Sequence, residues 1–138
     1  MSLLSRLVSG PSTEPKRLAL PHEGGAEATP AFSPDGKRLA FSGREAGGKG
    51  PYHIRVRSVA GGPAAQLTGG PASDFGPAWS PDGASIAFLR VDGDRARYMA
   101  LAAAGGEPRA VTDFPVPTPP PGPQPAVCWT RDGQSLYV

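Results

Sequence analysis

Short apolar runs separated by clusters of turn-forming residues organise the chain from one end to the other. In "RLAFS" (38–42) and "SIAFL" (85–89) the large apolar side chains fall two apart, Leu39 with Phe41 and Ile86 with Phe88, and Leu136 with Val138 repeats the spacing near residue 138. That is the period of a strand with one face against a core. No segment carries a helical period. Each of these runs is preceded by an aromatic residue (Phe32, Trp79, Trp129) and a four-residue corner, "SPDG" (33–36), "SPDG" (80–83) or "TRDG" (130–133). Proline presets φ at the second turn position, Asp caps the turn through its own backbone, and Gly accepts the left-handed conformation that reverses the chain. A third run follows in two copies, "YHIRVRSV" (52–59) and "ARYMALAA" (96–103), then "AGG" (60–62 and 104–106) and a fourth short run, "AAQLT" (64–68) or "PRAVT" (108–112). The unit is four antiparallel strands joined by tight turns.

The unit recurs at a fixed interval. Asp35, Asp82 and Asp132 occupy equivalent places 47 and 50 residues apart, a period at which one supersecondary unit stacks on its neighbours to bury its faces. Four-stranded units with two apolar faces are the blades of a β-propeller, standing side by side about an axis. Ala31, Ala40, Ala78 and Ala87 are small enough for the crowded centre of such a stack. A β-sandwich is the rival, but it gives no reason for one corner to recur at constant spacing.

The lines "ATPAFSPDGKRLAFSG" and "FGPAWSPDGASIAFLR", each leading to "AGG" and then "QLT" or "AVT", resemble the TolB-type propeller repeat. That repeat is found in TolB-like proteins, in the propellers of prolyl oligopeptidase family serine peptidases and in some bacterial regulators. The resemblance covers residues 16–138, and it speaks for fold more than for function. The third copy departs from it where Thr130 and Arg131 stand for Ser-Pro, which weakens the corner while Asp132 and Gly133 remain.

Strand counting divides the chain into residues 1–20, third and fourth strands of a split blade; 21–68 and 69–112, two whole blades; and 113–138, first and second strands of the split blade. Three blades cannot close a ring, and unclosed blades leave sheet edges and apolar faces in water. The chain is therefore expected to be either part of a larger propeller or a half-propeller. In the second case two copies join head to tail as a homodimer, with six blades, the number the resemblance implies.

Composition narrows this picture. Among 138 residues there are 19 Gly and 18 Pro, and their grouping between apolar runs fits turns better than disorder. The net charge is +2 with Lys and Arg scattered singly, which argues against nucleic acid as a partner, since counterion release needs several cations on one face. No run approaches the length of a membrane span, and residues 1–10 lack the apolar core of a signal peptide. The compartment stays open between periplasm and cytoplasm. The lone Cys128 has no disulfide partner and is expected to be a small core residue. His22 and His53 are isolated and expected at the surface, so no metal is called for. "VDGD" (91–94) has two acids without the other spaced ligands of a calcium loop and reads as a hairpin turn.

In a four-stranded blade the first and third turns share one side, and the second and fourth connections the other. The short "SPDG" and "AGG" turns occupy the first side and the longer segments the second, where function on a rigid scaffold concentrates. Arg44, Tyr52, Asp74, Phe75, Asp92, Asp94, Arg95 and Phe114 supply charge and aromatic surface there and are the candidate partner-binding residues. The run Pro115–Pro125 holds seven prolines in eleven residues and reads as a stiff polyproline connector, with a docking ligand as the second reading.

Catalytic signatures are absent: no Gly-x-Ser-x-Gly elbow, no Walker A loop, no Gly-x-Gly-x-x-Gly after a strand and no His-Glu-x-x-His. The expectation is a non-catalytic scaffold without a cofactor that binds a protein or peptide through its loop face. The alternative is the substrate-gating propeller of a prolyl oligopeptidase family peptidase, for which "GGEPRAVTDFP" (105–115) speaks. A regulator's sensor domain is a third class and needs a DNA-binding or kinase domain beside it.

Overall fold

A computed structural model of the chain describes the backbone of residues 4–7, 16–18, 27–45, 48–112 and 127–137, and the side chains from Thr29 onward within those ranges. All regular structure among these residues is β. Strands β3 (Glu27–Phe32), β4 (Arg38–Gly43), β5 (His53–Ser58) and β6 (Ala65–Gln66) form one four-stranded antiparallel sheet, and β7 (Ser73–Trp79), β8 (Ser85–Asp92), β9 (Arg95–Ala102) and β10 (Arg109–Ala110) form a second, each in sequence order. Two further antiparallel pairs, β1 (Leu4–Leu7) with β2 (Lys16–Leu18) and β11 (Cys128–Trp129) with β12 (Leu136–Tyr137), flank them in the sequence. These are the four-stranded blades of a β-propeller.

The corners explain why the chain reverses where it does. Ser33 Oγ donates to Asp35 Oδ1 at 2.6 Å, Asp35 Oδ1 also accepts from Lys37 N at 3.0 Å, and Ser33 Oγ accepts from Arg38 N at 3.0 Å. The second corner repeats this with Ser80, Asp82, Ala84 and Ser85. In the third, Thr130 Oγ1 takes the place of the serine, donating to Asp132 Oδ1 at 2.5 Å and accepting from Ser135 N at 3.0 Å. Loss of Ser-Pro therefore leaves the polar frame of the corner whole, because the hydroxyl does the bonding and the proline only presets φ. The "QLT" ending closes the sheet edge in its own way, since Thr68, buried, accepts from Ile54 N at 2.9 Å and ties the short fourth strand to the third.

The two sheets pack face to face. Ala40, Ile54 and Val56 of the first meet Trp79, Ile86, Phe88, Met99 and Leu101 of the second in one apolar cluster. The opposite face of the second sheet, with Ala87, Leu89, Ala96 and Tyr98, packs on Val127, Trp129 and Leu136. Both faces of β8 are thus buried, and Ile86, Ala87 and Phe88 have no exposed surface. Successive side chains of a strand alternate between faces, so this sheet needs a neighbour on each side, as a blade does.

The two whole sheets each carry a bulge in the first strand. Register slips between Ala28 and Ala31 and between Phe75 and Ala78, and the residues inside the bulges, Thr29 and Gly76, both have left-handed backbones with φ of 50° and 63°. They lie 47 positions apart and bond to each other: Gly76 N donates to Thr29 Oγ1 at 3.2 Å.

Two sequence expectations are corrected. Cys128 is exposed; Val127, next to it, fills the core position with 5% exposure, and strand alternation turns Cys128 outward. His53 is not a surface residue, since its side chain is 13% exposed and lies against a buried carboxylate. His22, Phe114 and the proline run 115–125 lie outside the described residues.

Candidate functional site

Among the described residues, the registers put the 44–52 connection and the 93–94 turn at one end of the sheets. Gly43 pairs with His53 and Asp92 with Arg95, so the 44–52 loop and the 93–94 turn share an end with the start of β7, opposite the "SPDG" corners. At this end Tyr52 bridges the two whole sheets through its backbone. Its carbonyl accepts from Asp74 N at 2.8 Å, and its N–H donates to Ser73 Oγ at 3.2 Å.

These bonds fix the ring of Tyr52 against that of Phe75, with centroids 5.2 Å apart and planes tilted by 44°. The Arg44 guanidinium lies over the Tyr52 ring at 4.8 Å from its centre. Offset rings and a cation over an aromatic face are both favourable arrangements. The result is a half-buried ridge, Arg44–Tyr52–Phe75, contributed by two sheets and rigid on account of its backbone ties. Three of the sequence candidates are thereby brought together.

Asp74, next to Phe75 in β7, has no exposed surface. Its carboxylate accepts a two-pronged pair from Arg90, Nε to Oδ1 at 2.7 Å and Nη2 to Oδ2 at 3.0 Å, and His53 Nδ1 stands 4.0 Å from Oδ2. A buried carboxylate needs such a paired cation to offset its desolvation. The same bond holds the Arg90 guanidinium above its ordinary pKa. Asp74 therefore positions Arg90 and offers no surface to a partner. Neither Arg90 nor His53 stands out as a site residue in the sequence. The strand register that sets Arg90 opposite Asp74 is the signal that points to the pair.

Asp92, Asp94 and Arg95 form the exposed tip of the β8–β9 hairpin. Gly93 takes φ of 61° at the first corner position, as a two-residue hairpin with one left-handed residue requires. Beside the tip is a pocket of about 270 Å³ lined by Arg90, Asp92, Arg95, Arg97, Met99 and Ala110. No group of three or more His, Cys, Asp or Glu side chains arranged to hold a metal ion occurs among the described residues, and no helix there is long and apolar enough to cross a membrane.

The comparisons fall in line with this architecture. No protein-family model matches the chain. It is 34% identical over 78 residues to the Tol-Pal system protein TolB of Escherichia fergusonii, and equally so to that of Escherichia coli, a stretch covering 56% of this chain and 18% of either relative. A solved structure assigned as TolB from Agrobacterium tumefaciens superposes with a TM-score of 0.61 at 25% identity, over 73% of this chain and 37% of that one. The chain is thus an assembly of β-propeller blades. Its repeats are TolB-like in sequence and in structure, and the chain matches only about a fifth of the length of those curated relatives.

Proposed function

We propose that the chain is a non-catalytic propeller scaffold that binds a protein or peptide partner through its loop face. The observation that carries the reading is the Arg44–Tyr52–Phe75 ridge, an aromatic and cationic surface prepaid in conformational entropy by the Tyr52 backbone bonds to Ser73 and Asp74. Likeness to TolB, named for the Tol-Pal system, makes proteins of that system the first partners to test and the periplasm the compartment that goes with the reading. None of the relatives named above is a peptidase, and the gating alternative gains no support from them.

Blades with two apolar faces need neighbours, so the pairs β1–β2 and β11–β12 are proposed as the two halves of a blade completed by a second copy, giving six blades in a homodimer. A solution mass near twice 14.2 kDa is expected, and a stable monomer by light scattering overturns this part.

The partner reading is tested by calorimetric titration of the chain with purified soluble Tol-Pal proteins from the same genome. Tyr52→Ala and Arg44→Ala are expected to weaken binding roughly tenfold or more, as hot-spot aromatic and Arg residues do. Lys37→Glu, on the corner side, is expected to leave it unchanged. Equal loss from both faces, or binding indifferent to Tyr52, overturns the loop-face assignment.

A further inference from the structure

The pocket beside the β8–β9 hairpin has a charge arrangement that folding alone does not explain. Arg90 and Arg97 are directly opposite each other across β8 and β9, and like charges in that relation are unfavourable. Arg90 is paired with Asp74, which lessens the repulsion without abolishing it. Arg97 has no such partner: among the described residues neither its side chain nor that of Arg95 makes an ion pair or a hydrogen bond, and both residues are exposed. Asp92 sits across from Arg95 at the hairpin tip. The floor between these groups is apolar, formed by Met99 and Ala110.

We propose that this pocket is a recognition subsite for the carboxylate of an acidic side chain in a peptide partner, with Arg97 as its principal cation, Arg95 as the second, and Met99 under the apolar stem. A guanidinium fork suits a planar carboxylate. The flanking Asp92 opposes any ligand carrying dense negative charge, which disfavours nucleic acid and phosphorylated groups and favours a single carboxylate on an aliphatic stem. The pocket opens on the same end of the sheets as the Arg44–Tyr52–Phe75 ridge. The proposal rests on the loop-face reading and gives it a chemical preference.

The test uses the full chain with arginine side chains labelled for NMR. The probes are two capped pentapeptides, acetyl-Ala-Leu-Glu-Leu-Ala-amide and its Gln twin, together with inorganic phosphate. The Glu peptide is expected to shift the Arg95 and Arg97 Nε–H signals saturably and to bind roughly tenfold tighter than the Gln twin, the factor that one hydrogen-bonded charge is worth. Arg97→Gln is expected to abolish that preference and, with no ligand present, to raise Tm slightly by removing the repulsion from Arg90. Equal binding of both peptides, a preference that survives Arg97→Gln, or phosphate binding more tightly than the Glu peptide each overturns the proposal. Loss of the pocket's preference while Tyr52→Ala still weakens the protein partner would leave the loop face standing and remove only this subsite.

Discussion

Trp79 Nε1 donates to the backbone carbonyl of Ala31, in the sheet before its own, at 3.0 Å. The same bond recurs one unit later, Trp129 Nε1 to Ala78 O at 2.9 Å. The indole is therefore a rivet between neighbouring blades as well as core filling. It fixes their spacing with a directional bond, while the Arg38 guanidinium covers the Trp79 ring at 4.7 Å. Trp79→Phe keeps much of the apolar area and the ring face but leaves the Ala31 carbonyl without this donor. The expected cost is about 1–2 kcal/mol by urea unfolding. A change within error would mean that the bond adds nothing beyond burial.

The Asp74–Arg90 pair joins the site to the stability of the sheet. Asp74→Asn keeps the shape and loses the charge paired with Arg90, for an expected loss of roughly 2 kcal/mol. Arg90→Leu strands a carboxylate with no exposed surface and is expected to cost more, about 3 kcal/mol. The double variant should recover part of the sum, which a double-mutant cycle reads directly. Additive losses would show that the two groups do not stabilise each other.

How much of this could be read in the sequence follows the range of each interaction. The corners span six residues, and Ser, Asp and Gly announce their bonds within that span, so turns and the four-stranded antiparallel sheets were legible. The face of a two-residue strand was not: Cys128 lies in an apolar run whose phase is set by Val127 packing on the preceding sheet. Nor was the ridge, because Tyr52 and Phe75 come from different sheets and meet only through the Tyr52 bonds to Ser73 and Asp74. The bulge was half visible. Gly76 advertises a left-handed backbone, whereas its counterpart Thr29, a β-branched residue, hides one.

Gly93 offers a clean measure of backbone strain. A Cβ built there meets nothing within 4 Å, so Gly93→Ala tests the left-handed φ of 61° with no steric contribution. The expected destabilisation is about 1 kcal/mol, and Gly93→Asn should cost less because Asn tolerates this region. Both follow from chemical denaturation. If Ala is neutral, the hairpin relaxes to another turn and the pocket beside it should change shape as well.

Acid should loosen the three corners together. Asp35, Asp82 and Asp132 are each held below the ordinary carboxylate value of 3.8, first by the hydroxyl of Ser33, Ser80 or Thr130 and then by a backbone N–H of Lys37, Ala84 or Gln134. A carboxylate whose pKa is lowered by folding contributes stability that is complete above its unfolded value and is lost as pH falls through the folded one. The melting temperature should therefore hold steady from neutral pH down to roughly pH 5 and fall steeply below about pH 4. Replacing all three by Asn keeps an acceptor oxygen in each corner but removes the titration. The triple variant is expected to be less stable at neutral pH and to lose less on acidification, so that the two melting curves converge as the pH falls through the lowered folded-state values. Curves that stay parallel would place the acid sensitivity in other carboxylates and deny the corners this role.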